Sequence, residues 1–162
     1  MSDSPEKITS PARATCADGI TRIEDLQAGA DWTMTRIIRA DDIEAFSRLT
    51  SDTAPVHVDP GHARAMGFSG SIAHGFLVAG MYSGILGMRL PGGNTVIHQL
   101  QLEMPAPVYP GDELTYTVTV ERIFPAIASV KLRLQATNQQ GTLVSKGSAV
   151  CVFRAQGAQA PT

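Results

Sequence analysis

The chain has 162 residues, of which 43% are hydrophobic and 17% charged, with a formal net charge of -2. That is one domain's length, with enough apolar residues for an ordinary core. The slight acidity argues against nucleic acid or an anionic membrane as the main partner. The two cysteines, Cys16 and Cys151, form neither a CxxC pair nor a disulfide framework, which points to a reducing cytoplasm.

Residues 1–20 are polar and rich in Ser, Pro and Ala, and residues 155–162 in Gln, Ala and Pro, so both ends read as flexible tails around a domain spanning 21–154. The N-terminus lacks the basic-then-apolar pattern of a signal peptide. Asp31–Ile38 alternates as a strand. Asp41, Asp42 and Glu44 open a helix whose inward face is expected to carry Ile43, Phe46 and Leu49. Thr50–Val58 reads as a loop in which Pro55 prevents helix continuation. A short helix follows from about Pro60 to Met66, with Asp59 as N-cap and Pro60 in its first turn.

The run from about Ala73 to Leu90 is the longest apolar stretch. His74, Ser83 and its glycines make a membrane span a poor reading, and a helix apolar all round should be enclosed by protein. Gly80, Gly84 and Gly87 share one helical face, where a sheet is expected to approach closely. Four alternating runs follow. Val96, His98, Leu100, Leu102 and Met104 are expected on one face of the first; Leu114, Tyr116, Val118 and Val120 mark the second; Val130, Leu132 and Leu134 mark the third; Leu143–Phe153 is the last. Pro110-Gly111-Asp112 and Asn138–Gly141 supply turns. The sum is an α+β domain: a long antiparallel sheet wrapped around one central apolar helix. Such a domain leaves a sheet edge and much of its helix uncovered, so a homodimer is expected.

Two segments carry chemistry. Ser51–Asp59 holds Asp52 and His57 on a proline-stiffened loop, where a carboxylate and an imidazole could share one water and move its protons near neutral pH. Ser71–Gly80 places His74-Gly75 at the start of the apolar helix. Unpaired N–H groups and the positive dipole end make Gly75 a candidate oxyanion donor there. His62 reads as a solvent-facing residue of the short helix and His98 as structural. Asp52, His57, Asp59 and His62 lack any HExxH or paired CxxC signature, so no metal is expected, and no Walker or GxGxxG phosphate loop occurs.

The motifs Asp52-Thr53-Ala54-Pro55-Val56-His57, Ala73-His74-Gly75 and Pro107-Val108-Tyr109-Pro110-Gly111-Asp112 resemble those of the MaoC-like, R-specific enoyl-CoA hydratases, from about Leu26 to Phe153. The resemblance implies a hotdog fold and the reversible hydration of 2-enoyl thioesters on coenzyme A or acyl carrier protein, without a cofactor. Asp52 and His57 would activate water, Gly75 would bind the thioester oxygen and Ser83 would support the dyad; His74 joins Gly75 and Ser83 as a candidate oxyanion and substrate-binding residue. Val56, Phe76, Met81 and Leu102 are candidate acyl-pocket residues. The family's usual Asn is replaced by Ala54, which removes a hydrogen-bonding side chain beside the dyad. An acyl-CoA thioesterase and a non-catalytic acyl-binding subunit are the alternatives.

Overall fold

The structure, a computed structural model, describes residues 22–154. The tails expected over 1–20 and 155–162 lie outside the described residues. Five strands form one antiparallel sheet: β1 (Asp31–Ile37), β2 (Thr95–Glu103), β3 (Glu113–Phe124), β4 (Ser129–Thr137) and β5 (Leu143–Phe153), in the order β1-β3-β4-β5-β2. Between β1 and β2 lie α1 (Ala40–Thr50), α2 (Pro55–Val58), α3 (Pro60–Ala65) and α4 (Gly75–Met88).

Alternation sets the two faces of the sheet. Leu114, Tyr116, Val118 and Val120 on β3, and Val130, Leu132, Leu134 and Ala136 on β4, are all buried and join Leu77, Val78, Tyr82, Ile85 and Leu86 of α4 in one core. The other face carries polar residues and cross-strand ion pairs, Lys131–Glu121 and Lys146–Glu103. One helix on one face of a long antiparallel sheet is the hotdog arrangement. No described helix is long and apolar enough to cross a membrane.

Several local expectations need correction. Leu49 is 82% exposed, and Ser47 takes the inward position one turn after Ile43. Pro55 does not simply end a helix. It opens α2, where its missing N–H is harmless. In β2 the register shifts between Ile97 and Gln99, so Ile97, opposite Cys151, joins Leu100, opposite Ala149, on the helix side; the bulge takes His98 out of the alternation.

The largest correction concerns α4. It is not enclosed all round: Phe76 is 83% and Met88 69% exposed, and Gly80, Ser83 and Gly84 are exposed as well. A Cβ added at Gly80, Gly84 or Gly87 would meet nothing within 4 Å, so the chain's own sheet does not approach that face. The helical phase that turns Val78, Tyr82 and Ile85 to the sheet turns these glycines away from it.

Candidate active site

Asp52 lies just beyond α1, where Ser51 takes a left-handed conformation (φ 61°) that turns the chain sharply out of the helix. Its position is then fixed at three points. The Thr50 Oγ1, which donates to Phe46 O, accepts from Asp52 N–H at 3.3 Å. The Ala54 N–H donates to Asp52 Oδ1 at 3.2 Å. The His74 Nε2–H donates to the Asp52 carbonyl at 3.0 Å. Among the described residues the second carboxylate oxygen takes no hydrogen bond, and the side chain is exposed.

His57 sits on the single turn of α2, and its N–H donates to Ala54 O at 2.9 Å. Its Nδ1 lies 2.8 Å from Ile72 O. A carbonyl only accepts, so Nδ1 carries the hydrogen, and in the neutral ring Nε2 offers a lone pair. Ile72 N–H in turn donates to Val56 O at 3.2 Å, which ties the loop of His57 to the segment leading into α4.

His74 is the N-cap residue of α4 and is 2% exposed. Its ring stacks on His57, with centroids 3.8 Å apart and planes at 28°, and leans on Phe46 at 5.0 Å. Its Nε2 also lies 3.3 Å from Ser47 Oγ on α1, and its Nδ1 is buried without a partner. His74 therefore faces the loop of Asp52, and it is not among the residues lining the adjacent cavity.

That cavity, of about 330 Å³, is lined by His57, Gly75, Phe68, Ile72, Val78 and Met104 together with the Pro105–Val108 segment and Val144. Gly75 opens α4, whose first N–H groups have no partner within the helix. A Cβ at Gly75 would meet only Met104 Cγ, at 3.7 Å, an ordinary contact, so packing does not demand glycine there. The third motif closes the cavity wall. Asp112 accepts from Tyr109 N–H at 2.8 Å and from Gln139 Nε2 at 2.9 Å; Gly111 takes the positive φ (95°) that the turn requires; and Val108 O accepts from Ala73 N–H at 2.7 Å.

Of the residues singled out from sequence, Asp52, His57 and His74 come together: one ligand-type atom of each lies within 4.8 Å of the others. His57 and Gly75 share the cavity, and Asp52 stands beside it. Ser83 is exposed on the outer face of α4 and does not line the cavity. Val56, Phe76, Met81 and Leu102 are also outside its lining: Met81 and Leu102 pack on the core, Val56 is half-buried, and Phe76 is exposed. Ser47, Phe68 and Val144 were not evident in the sequence, although Ser47 follows Ile43 at helical spacing. The three-residue cluster could suggest a cation site. One nitrogen of each ring, however, already serves a carbonyl, His57 Nδ1 at Ile72 O and His74 Nε2 at Asp52 O. The arrangement suits a water and its protons.

Comparison with known proteins places the chain in a family. The MaoC like domain family matches residues 23–140. The chain belongs to the MaoC-like family. This MaoC-like chain is 37% identical to the (R)-specific enoyl-CoA hydratase of Rhodospirillum rubrum, over 83% of its own length and 92% of the relative's. It is 32% identical to the (R)-specific enoyl-CoA hydratase of Aeromonas caviae, over 78% and 95%. The solved structure of the A. caviae (R)-hydratase superimposes with a TM-score of 0.76, covering 80% of this chain and 98% of that one. An R-hydratase structure from Pseudomonas aeruginosa gives 0.75 at 26% identity, covering 90% and 96%. The hotdog fold of the MaoC-like chain is thus established together with its family.

Proposed function

We propose that the protein is a hydro-lyase that reversibly hydrates 2-enoyl-CoA to R-3-hydroxyacyl-CoA. The observation that carries this reading is that His57, which clusters with Asp52, lines one cavity together with Gly75 of the first turn of α4. The relatives named as enoyl-CoA hydratases support the substrate class.

In this mechanism the thioester carbonyl accepts from Gly75 N–H, which draws electrons from the double bond and makes C3 electrophilic. Asp52, through its unoccupied oxygen, and His57, through Nε2, hold one water. One of the two takes a proton as hydroxide bonds to C3, and a proton returns to C2 as the electron pair arrives there. Water is consumed and no other reactant is needed, so the reverse path is dehydration. Asp52 and His57 act as a coupled pair in these transfers.

Ala54 leaves the dyad with more support than its side chain suggests, because the residue's backbone N–H bonds Asp52 and its carbonyl accepts from His57 N–H. A living dyad is thereby favoured over a non-catalytic subunit. The exposed face of α4 and the edge strand β2, where Val96, Ile97, Leu100 and Met104 are 41–48% exposed, support a homodimer. The chain is read as a cytoplasmic enzyme.

The test is loss of enoyl-thioester absorbance with crotonyl-CoA, with Asp52→Asn as control. Loss in the wild type that disappears in the variant is expected. Release of free thiol from acyl-CoA without hydration would instead favour the thioesterase, and binding without turnover would favour the non-catalytic subunit.

A further inference from the structure

We infer that Ser47 and His74 are positioning residues that hold the dyad in register by gripping the backbone of Asp52; the inference rests on the hydratase reading above. His74 Nε2 is 3.0 Å from the Asp52 carbonyl and 3.3 Å from Ser47 Oγ. Only the ring nitrogen can supply the hydrogen to a carbonyl, so Nε2–H is the donor. The ring makes no other hydrogen bond, since Nδ1 is buried and unpartnered. Its orientation is set by contact, with Phe46 at 5.0 Å and His57 at 3.8 Å between centroids.

One side chain thus touches both members of the dyad without touching the cavity. Its face packs on the His57 ring and its edge holds the Asp52 carbonyl. Ser47 completes the arrangement from α1: it is 5% exposed and steadies the same N–H from the far side. Three elements meet here, namely α1, the catalytic loop and the start of α4. The catalytic loop is otherwise exposed from Ser51 to Pro55, so this buried contact is what joins Asp52 to the core. Dyad spacing is the quantity it controls, and reaction rates are steeply sensitive to displacements near 1 Å.

Three variants test the inference. His74→Phe keeps a flat ring between Phe46 and His57 but has no N–H. His74→Gln restores a donor without the ring, and Ser47→Ala removes only the outer support. For His74→Phe, kcat should fall about 100-fold with KM within about threefold of wild type. His74→Gln should recover about tenfold of that loss, and Ser47→Ala should lose a few-fold. A His74→Phe enzyme with wild-type kcat, or Gln no better than Phe, would overturn the assignment. If His74→Phe fails to fold, Gln against Ala at position 74 gives the same contrast.

Silence of the wild type with crotonyl-CoA would defeat the hydratase reading and not this one. The grip on the loop is then read from the amide ¹⁵N resonance of Thr53, whose peptide group contains the Asp52 carbonyl. That resonance should move in His74→Phe and return toward its wild-type position in His74→Gln; its failure to move would overturn the positioning role.

Discussion

Gly147→Ala should both destabilise the protein and impair its site. Gly147 lies on β5, opposite Leu102 of β2 on one side and Leu134 of β4 on the other. A Cβ built there falls 2.9 Å from the Gln101 carbonyl carbon and 3.0 Å from Leu102 Cα, and closer still to the Gln101 carbonyl oxygen. Comfortable carbon contacts begin near about 3.5 Å, so β2 must retreat by roughly 1 Å. All three colliding atoms are backbone, so no rotamer change can relieve them. Overpacking of this kind costs about 1–3 kcal/mol. In a chain of this size that corresponds to a Tm lower by roughly 2–12 °C. The displacement reaches the site because β2 runs directly into Met104 and Pro105, which line the cavity beside Gly75. Thermal unfolding gives the first quantity and steady-state hydration of crotonyl-CoA the second, with a raised KM or lowered kcat expected. A variant with wild-type Tm and kinetics would refute the close approach of β5 to β2.

The proposed dyad predicts that Asp52→Asn and His57→Gln each lower kcat by about 10²–10⁴-fold, measured with crotonyl-CoA, while circular dichroism stays native. Gly84→Leu tests the dimer. Among the described residues nothing lies within 4 Å of a Cβ there, so the chain should fold, whereas sedimentation should shift to a 17.2 kDa monomer; a persisting dimer would place the interface elsewhere. Alkaline stability should fall between pH 10 and 12. Burial pushes Tyr82 from 10.0 up to about 12, against the lowering effect of its bond to Ser145, and burial also pushes Tyr116 upward. The unfolded chain therefore loses these protons first, so the stability present below pH 10 is lost as pH rises toward the folded value, by roughly 2–3 kcal/mol for Tyr82. Denaturant titrations of wild type and Tyr82→Phe should show a shallower loss in the variant. Asp59→Ala should lower stability in the same titrations, because the Asp59 carboxylate caps α3 through Gly61 N–H at 2.7 Å and His62 N–H at 3.2 Å.

Much of this architecture is legible in the sequence wherever one physical rule dominates. Over 113–120 of β3 and 130–137 of β4 burial alternates, and the inward residues are those that simple alternation selects. The cap at Asp59 is equally local. Hydropathy fails where a polar contact decides orientation. It places Leu49 inward and overlooks Ser47, because the reason for burying Ser47 is an imidazole 27 residues away in the chain. It also misses the His98 bulge, since an extra residue in an edge strand changes no composition and breaks no pattern until the register is known. Asp52 and His57 could be found because they share one short loop. The contacts that orient them come from Ile72 and His74, which only the fold brings near.

The helix α4 shows a different kind of discrepancy. Its sequence is apolar on every side, which calls for protein all round, yet among the described residues burial is confined to Leu77, Val78, Ala79, Tyr82, Ile85 and Leu86. A hydrophobic pattern records what the residue meets in its working state, and that state can include another copy of the chain. Phe76, Gly80, Gly84 and Met88 then have an explanation that no feature of the single chain provides. Gly80 and Gly84 leave room on that face for a neighbouring backbone, and Phe76 and Met88 are exposed large apolar side chains on the same helix. On that reading the glycines do mark a close approach, as the sequence suggests, but the approaching surface belongs to a partner and not to the chain's own sheet. Gly84→Leu separates the two cases, because it opposes association while leaving the internal packing of the chain untouched.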